Sequence, residues 1–348
     1  MSIQELLKGK LAYYQNSIFY TDVTVVLTAK VLTWKIDDTI EQQLSLDDVV
    51  GVSLAGCENT SNSFSSVIVN SQHNIAIGDS DRFWLIVNAY PWQKSKFTKQ
   101  PQRILQEHWF ACPDPEMRSQ WQQAINNTLQ NQPINAKAKP RHLKILINPN
   151  SGKQQAAKIF ERVRPLFTRS NLEFTVTETS SGKDTQNVVR EIDLETTDGL
   201  VIVGGDGTIH DAIAGLMSRS DCDRAIKTPI GVIPGGTGNG LCKSLLAISE
   251  ETYDPINAAF LIAKGKQKPC DLAFVEQNGD KTYSFLSLAW GLISDVDIGS
   301  EKLSFLGSLR FDIYALILIC LLRTYKGKFS FIPDPDWKIP QHLLNTCL

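Results

Sequence analysis

The chain lacks paired cysteines, a dominant sign of charge and a long apolar run, and each absence removes a class of protein. Its 7 cysteines stand singly at positions 57, 112, 222, 242, 270, 320 and 347. An odd count with no CxxC spacing argues against a structural zinc site and for free thiols in a reducing compartment. Lys and Arg total 35 against 37 Asp and Glu, a formal net charge of -2. No global field then draws the protein to nucleic acid, no nucleic-acid partner is expected, and a polyanion must be met by a local site. The longest apolar run, 313–322, is 10 residues between Asp312 and Arg323, well short of the ~20 that span a bilayer. A buried helix is the expectation there. Met1-Ser2-Ile3-Gln4-Glu5 offers neither a basic segment leading into an apolar stretch nor a glycine for myristoylation, so the expected location is cytoplasmic.

With 348 residues, 42% of them hydrophobic, the chain has length for about two domains with buried cores. Residues 19–112 alternate short β-rich runs with Asn, Ser, Gly and Asp turns, among them Val31-Leu32-Thr33-Trp34, Val67-Ile68-Val69, Phe83-Trp84-Leu85-Ile86-Val87 and His108-Trp109-Phe110. That spacing predicts a small sandwich or barrel. One helix follows, with Asp114 as N-cap, Pro115 in its first position, and Met117, Trp121, Ala124, Ile125 and Leu129 on one face. Strands closed by one amphipathic helix with a central tryptophan resemble a pleckstrin-homology (PH) domain, here over residues 1–130. Residues 1–140 hold 12 Lys and Arg against 13 Asp and Glu, and their one tight basic cluster is Lys94, Lys96 and Lys99. It reads as a solvated loop rather than a headgroup site. The polar, proline-flanked stretch 131–141 reads as a linker.

From 142 the grammar changes to alternation. Strands over 143–147, 172–177, 199–203 and 230–233 are separated by helices over 153–167, 184–191 and 208–218, with further helices near 241–247 and 256–264. Such repetition predicts a doubly wound, mostly parallel sheet over 142–269. Beyond it, a strand in 271–276 and one over 283–290 flank Asn278-Gly279, a strong hairpin signal. An antiparallel β domain is therefore expected over 270–333, followed by an unrelated tail over 334–348. The fold class is α/β plus all-β.

Three loops follow apolar strands and open helices, where backbone N–H groups favour an anion. They are Asn148-Pro149-Asn150-Ser151-Gly152-Lys153, Gly204-Gly205-Asp206-Gly207-Thr208 and Pro234-Gly235-Gly236-Thr237-Gly238-Asn239. The first lacks P-loop spacing, and the second places His210 where a dinucleotide fingerprint needs its third glycine. Loops at the carboxyl ends of neighbouring parallel strands converge on one edge, so the three together describe a polyphosphate pocket.

These loops resemble the diacylglycerol-kinase catalytic domain. Ser287-Leu288-Ala289-Trp290-Gly291, Asp295-Val296-Asp297, Ser300-Glu301-Lys302, Leu309-Arg310-Phe311 and Leu322-Arg323-Thr324-Tyr325-Lys326-Gly327 resemble the sphingosine kinases within it. The resemblance implies ATP- and Mg2+-dependent phosphorylation of the primary hydroxyl of a sphingoid base, met at a peripheral membrane surface, with a homodimer as one possible assembly. It implies Asp206 as general base. Asn148, Ser151, Gly152, Thr179, Gly205, Gly207, Thr208, Gly235, Thr237, Gly238 and Asn239 would surround the nucleotide, and Arg310 would reach a phosphate, or else cap its own helix or pair with Asp312. Ser287, Asp297 and Glu301 would meet the lipid head, Asp297 pairing with its ammonium. His210 is expected on a helix face, and Asp295 and Asp297 at a strand end.

Two departures from the family stand out. Glu301-Lys302 is followed by Leu303-Ser304-Phe305 rather than a second basic residue, which would weaken a phosphate clamp. The family pattern stops after Phe331-Ile332-Pro333, where the family's β domain continues, and the expectation is a truncated product or splice form. A catalytically silent nucleotide- or lipid-binding regulator is the alternative from another class. Among enzymes, a ceramide kinase would leave Asp297 without an amine to meet, diacylglycerol is a further acceptor, and the Pro-Gly-Gly-Thr-Gly-Asn loop speaks against an NAD kinase.

Overall fold

A computed structural model describes residues 4–16, 18–36, 40–56, 82–94, 101–137, 139–149, 155–236, 238–307, 309–321, 323–328, 330 and 332. The expected run Val67-Ile68-Val69, Lys96, Lys99 and the tail 334–348 lie outside them. The chain forms two compact units, Met1–Leu286 and Ser287–Leu348.

The first unit begins with nine strands: β1 (Glu5–Gln15), β2 (Ile18–Thr28), β3 (Val31–Ile36), β4 (Ile40–Ser45), β5 (Val49–Ala55), β6 (Phe83–Ala89), β7 (Trp92–Lys94), β8 (Pro101–Arg103) and β9 (Gln106–Cys112). Seven of them make an antiparallel half-barrel in the order β4-β3-β2-β1-β9-β6-β5, and β7 and β8 form a separate short hairpin. Period-two alternation divides the apolar residues between two faces. Leu85, Val87 and Ala89 of β6 join Leu11, Tyr13, Val25 and Trp34 in one core, while Trp84 and Ile86 join Trp109 on the other side. Helix α1 (Pro115–Leu129) seals the first core with Trp121, Ala124 and Ile125. Asp114 caps it by accepting from the Met117 N–H at 2.7 Å. Gly9 leaves room for the Trp121 indole, because a Cβ there would lie 3.3 Å from Trp121 Nε1.

The parallel part follows as β10 (Arg141–Ile147), α2 (Ala156–Arg169), β11 (Leu172–Glu178), α3 (Gly182–Arg190), β12 (Gly199–Gly204), α4 (Asp206–Met217), α5 (Cys222–Ala225), β13 (Ile230–Pro234), α6 (Gly240–Ile248) and α7 (Pro255–Lys264). Its four strands are all parallel, ordered β11-β10-β12-β13. Alternate residues of β10 and β12 pack on opposite faces. Ile145, Ile147, Val201 and Val203 meet α2 and α7; Leu146, Leu200 and Ile202 meet α3, α4 and α6. Near-continuous apolar strands are the consequence of burial on both sides.

The antiparallel and parallel sheets are locked together within the first unit by buried polar contacts. Arg103 donates to Asp48 at 2.9 Å, to the Tyr90 carbonyl at 2.7 Å and to Glu251 at 2.7 Å, and its guanidinium lies 3.8 Å from the Phe260 ring centroid. Lys264 at the end of α7 donates to the carbonyls of Leu46 and Val49 at 2.7 and 2.8 Å, and burial pushes its ammonium down to about 8. Gly51 approaches backbone to backbone, since a Cβ there would lie 2.7 Å from the Asn171 nitrogen.

The hairpin β14 (Ala273–Gln277) and β15 (Asp280–Ser284) closes the first unit around Asn278-Gly279, both at positive φ (54° and 89°) as a tight primed turn requires. The strand expected over 283–290 ends at Ser284, because Ala273 opposite it is the last residue of β14 to pair. In the second unit α8 (Leu292–Ser300) and a 3-10 turn (Glu301–Leu306) stand where the expected β domain needed strands, and α9 (Leu309–Leu321) covers the helix expected over 313–322. Asp295 and Asp297 thus sit on a helix rather than at a strand end. The buried helix expected over 313–322 is also corrected. Leu316, Ile317, Ile319 and Leu321 of α9 are exposed, and Leu318 alone of its described residues is buried. Their apolar run lacks the one-sided pattern that would select an inward face. No helix among the described residues is long and apolar enough to cross a membrane.

Candidate functional site

Register brings the predicted loops to one edge. Ile147 pairs with Val203 and Gly204 with Pro234, so β10, β12 and β13 end side by side and their loops emerge together. The second and third loops touch backbone to backbone. The Gly235 N–H donates to Gly204 O at 2.9 Å and the Asp206 N–H to Gly238 O at 3.2 Å. A Cβ on Gly205 would lie 2.8 Å from Gly238 O, and one on Gly236 would overlap Gly205 Cα. Glycine is required at these two positions by close approach, since neither has a positive φ.

Asp206 stands where the loops meet, half-buried, as the first residue of α4. Its Oδ2 accepts from the Gly240 N–H at 2.7 Å and its Oδ1 from the Leu241 N–H at 3.2 Å. Helix α6 has no capping side chain of its own, and its first amides would otherwise lack partners. The Asp206 carboxylate satisfies two of them and lies at the positive end of that helix. Strand β12 fixes the residue before the turn, and α6 fixes the acid after it.

The other predicted residues of this unit divide by burial. Thr208 is buried and faces Asn148, whose Nδ2 is 3.5 Å from Thr208 Oγ1. Thr179 is 1% exposed; its N–H donates to Ile147 O at 2.9 Å and its Oγ1 accepts from Thr185 at 3.0 Å, so its hydroxyl braces the loop from below. Gly235 is buried, whereas Gly207 and Gly238 are exposed. Nothing lies within 4 Å of a Cβ built on Gly207. Ser151, Gly152 and Thr237 lie outside the described residues. His210 sits on its helix face and shares a 3.1 Å hydrogen bond with Thr282. Cys242 is buried behind Asp206, and burial, with the nearby carboxylate, pushes its thiol up to about 12, which makes it inert.

Ser287, Asp297, Glu301 and Arg310 belong to the second unit. Ser287, Asp297 and Glu301 are exposed. Arg310 stacks on Phe311, 4.5 Å from the ring centroid, rather than pairing with Asp312, and its Nε is buried without a partner among the described residues. Sequence reasoning missed the acid that is engaged here. Asp295 accepts from Arg323 at 2.7 Å and from the Tyr325 hydroxyl at 2.6 Å. The hydrogen bond to Asp295 pushes the Tyr325 phenol up. No local pattern announces partners 28 and 30 residues away.

Among the described residues no three His, Cys, Asp or Glu side chains cluster to cage a metal. A cavity of about 790 Å³ lies at the amino edge of the parallel sheet, lined by Arg141, Gly199, Pro229 and Lys264 among others, and none of the residues 204–208 or 234–240 lines it.

The profile of the diacylglycerol kinase catalytic domain matches residues 142–275, which hold the converging loops. Around these residues the chain is similar to "Sphingosine kinase 1" of Arabidopsis thaliana, 41% identical over 201 residues, covering 58% of this chain and 41% of that one. It is similar to "Sphingosine kinase 1" of Homo sapiens, 34% identical over 202 residues, 56% of this chain and 53% of the other. It is also similar to "Sphingoid long chain base kinase 4" of Schizosaccharomyces pombe, 34% identical over 200 residues, 57% and 40%. The chain thus spans about half or less of the length of these curated relatives. Within the matched residues, Asp206 joins the two glycine loops: its N–H donates to Gly238 O, and its carboxylate accepts from the Gly240 and Leu241 amides that follow the 234–239 loop.

Proposed function

We propose that the protein transfers the γ-phosphoryl group of ATP to the primary hydroxyl of a sphingoid long-chain base such as sphingosine, giving sphingosine 1-phosphate. The observation that carries this reading is the Asp206 carboxylate, held by the Gly240 and Leu241 amides beside two touching glycine loops, in a chain related to sphingosine kinases. In the reaction the lipid oxygen attacks the γ-phosphorus, the bond to the bridging β,γ-oxygen breaks, ADP leaves, and the hydroxyl proton passes to Asp206 Oδ. Positioning and charge stabilisation supply the rate, because phosphoryl transfer needs little covalent help from the protein.

In this reading the backbone of 204–208 and 234–238 cradles the phosphates, with Asn148, Ser151, Gly152, Thr179 and Thr208 around the nucleotide. Ser287, Asp297 and Glu301 meet the lipid head, Arg310 a phosphate, and the apolar side chains of α9 the lipid chain. Mg2+ needs few protein carboxylates when phosphates supply oxygens. Asp206 is a suitable oxygen donor for an ion held chiefly by ATP. Bound there, Mg2+ would neutralise charge on the phosphates. The reading also takes the half-barrel with α1 as PH-like, the parallel sheet as doubly wound, and the substrate as met at a membrane surface.

The test is transfer of labelled γ-phosphate from ATP with Mg2+ to sphingosine, ceramide, diacylglycerol and NAD, by this protein and by Asp206→Asn. Sphingosine should be labelled above the other acceptors, and Asp206→Asn should lower the rate by about 10²–10⁴, the usual worth of a positioned base. Equal turnover by Asp206→Asn would overturn the mechanism; preferred labelling of another acceptor would overturn the substrate.

A further inference from the structure

Asn239 keeps its side chain within its own loop. It is 6% exposed, its Nδ2 donates to the Gly236 carbonyl at 2.7 Å, and its Oδ1 accepts from the Gly236 N–H at 3.2 Å. An asparagine amide has two protons and one oxygen to offer; one proton and the oxygen are committed to Gly236, so the buried side chain turns back on its own loop.

The segment that Asn239 closes is the one that holds Asp206. Gly238 O, inside the closed segment, accepts the Asp206 N–H, and the two amides on the Asp206 carboxylate belong to the residues that follow at once, Gly240 and Leu241. We infer that Asn239 is a positioning residue that aims the Asp206 carboxylate rather than a nucleotide contact. The inference rests on the kinase reading above and departs from the role the family resemblance gives this residue. Misplacing a reacting group by about 1 Å costs on the order of 10²-fold in rate, while binding through other groups is spared.

The experiment pairs steady-state phosphorylation of sphingosine with equilibrium binding of a fluorescent ATP analogue, on the full chain, Asn239→Ala, Asn239→Asp, Asp206→Asn and the Asp206→Asn/Asn239→Ala double variant. Asn239→Ala should lower kcat by about 10- to 100-fold with the analogue's Kd unchanged within about 3-fold. Asn239→Asp, which keeps the acceptor for the Gly236 N–H and loses the Nδ2 donor, should move kcat the same way by a smaller factor. In the Asp206→Asn background the Asn239 substitution should add no further loss, since it acts through that carboxylate. A Kd weakened tenfold at unchanged kcat overturns the inference and makes Asn239 a nucleotide contact. An additive loss in the double variant also overturns it. No sphingosine turnover by the unmutated chain is the separate signature that the kinase reading itself has failed, and the brace loses its catalytic meaning with it.

Discussion

Asp206 and Asp297 are acids of one chain in opposite surroundings. Asp206 begins a helix at a strand tip, and two backbone amides of a second helix hold its carboxylate; Asp297 lies exposed on α8, where its carbonyl rather than its carboxylate accepts from Ser300 at 3.1 Å. The contrast extends to ion pairs. Arg103 and Glu251 in the first unit have side chains 8% and 4% exposed, whereas Arg323 and Asp295 in the second are 64% and 29% exposed. Fixed polar geometry comes from strand tips and buried partners. The second unit has polar residues of the right kind without that confinement, and its α9 exposes apolar side chains as well.

The largest effect that would sharpen this contrast is on stability. Arg103→Ala leaves Glu251 buried and removes the contacts to Asp48 and the Tyr90 carbonyl. It should cost about 3–5 kcal/mol, the usual result of breaking a buried pair from one side. Arg323→Ala, breaking an exposed pair, should cost no more than about 1 kcal/mol. Urea denaturation midpoints of the two variants measure the difference, and equal losses would erase the distinction between the units.

The second effect separates conditions rather than residues. His108 is packed against Tyr13 and Trp34, with its Nδ1 3.3 Å from the Tyr13 hydroxyl. Burial pushes its imidazole down to about 4 from an ordinary 6.5. Between these values the unfolded chain binds the extra proton and the folded one does not. Stability should therefore fall as pH drops from about 6.5 through 4, by roughly 2–3 kcal/mol. His108→Gln should flatten that limb in denaturation scans across the range, and an unchanged slope would mean the imidazole already titrates freely.

The parallel-sheet region was legible because its signals are local. Apolar strands, glycine loops and helix starts all fall within a few residues, and observed α4, α6 and α7 begin within two residues of expectation. Asn278-Gly279 located the hairpin turn for the same reason. What escaped depends on distant partners. Nothing near Arg103 predicts Glu251, 148 residues away, and nothing near Asp295 predicts Tyr325. The strand over 283–290 failed because β propensity needs a pairing neighbour, and β14 runs out at Ala273. Asn239 was visible as a motif residue, yet no sequence pattern announces that its amide turns back on Gly236.

The smallest effects divide the glycines of the site into those that pack and those that do not. Gly236 lies against Gly205, where an added Cβ must push backbone, so Gly236→Ala should cost about 1–3 kcal/mol as overpacking does and should weaken nucleotide binding by separating the loops. Gly207 is inside the first turn of α4 with nothing within 4 Å of its would-be Cβ. On folding grounds Gly207→Ala should be neutral or stabilising by about 0.5–1 kcal/mol, because alanine is the better helix former and loses less entropy. The informative outcome is therefore in the fluorescent ATP analogue. If Gly207→Ala raises the melting temperature yet weakens the analogue, the open space over Gly207 is where phosphate approaches the backbone, and the glycine is there for the ligand. If stability rises and affinity holds, the phosphates lie over the 235–238 segment instead, and the contrast between a confined acid and an open glycine beside it is one of folding alone.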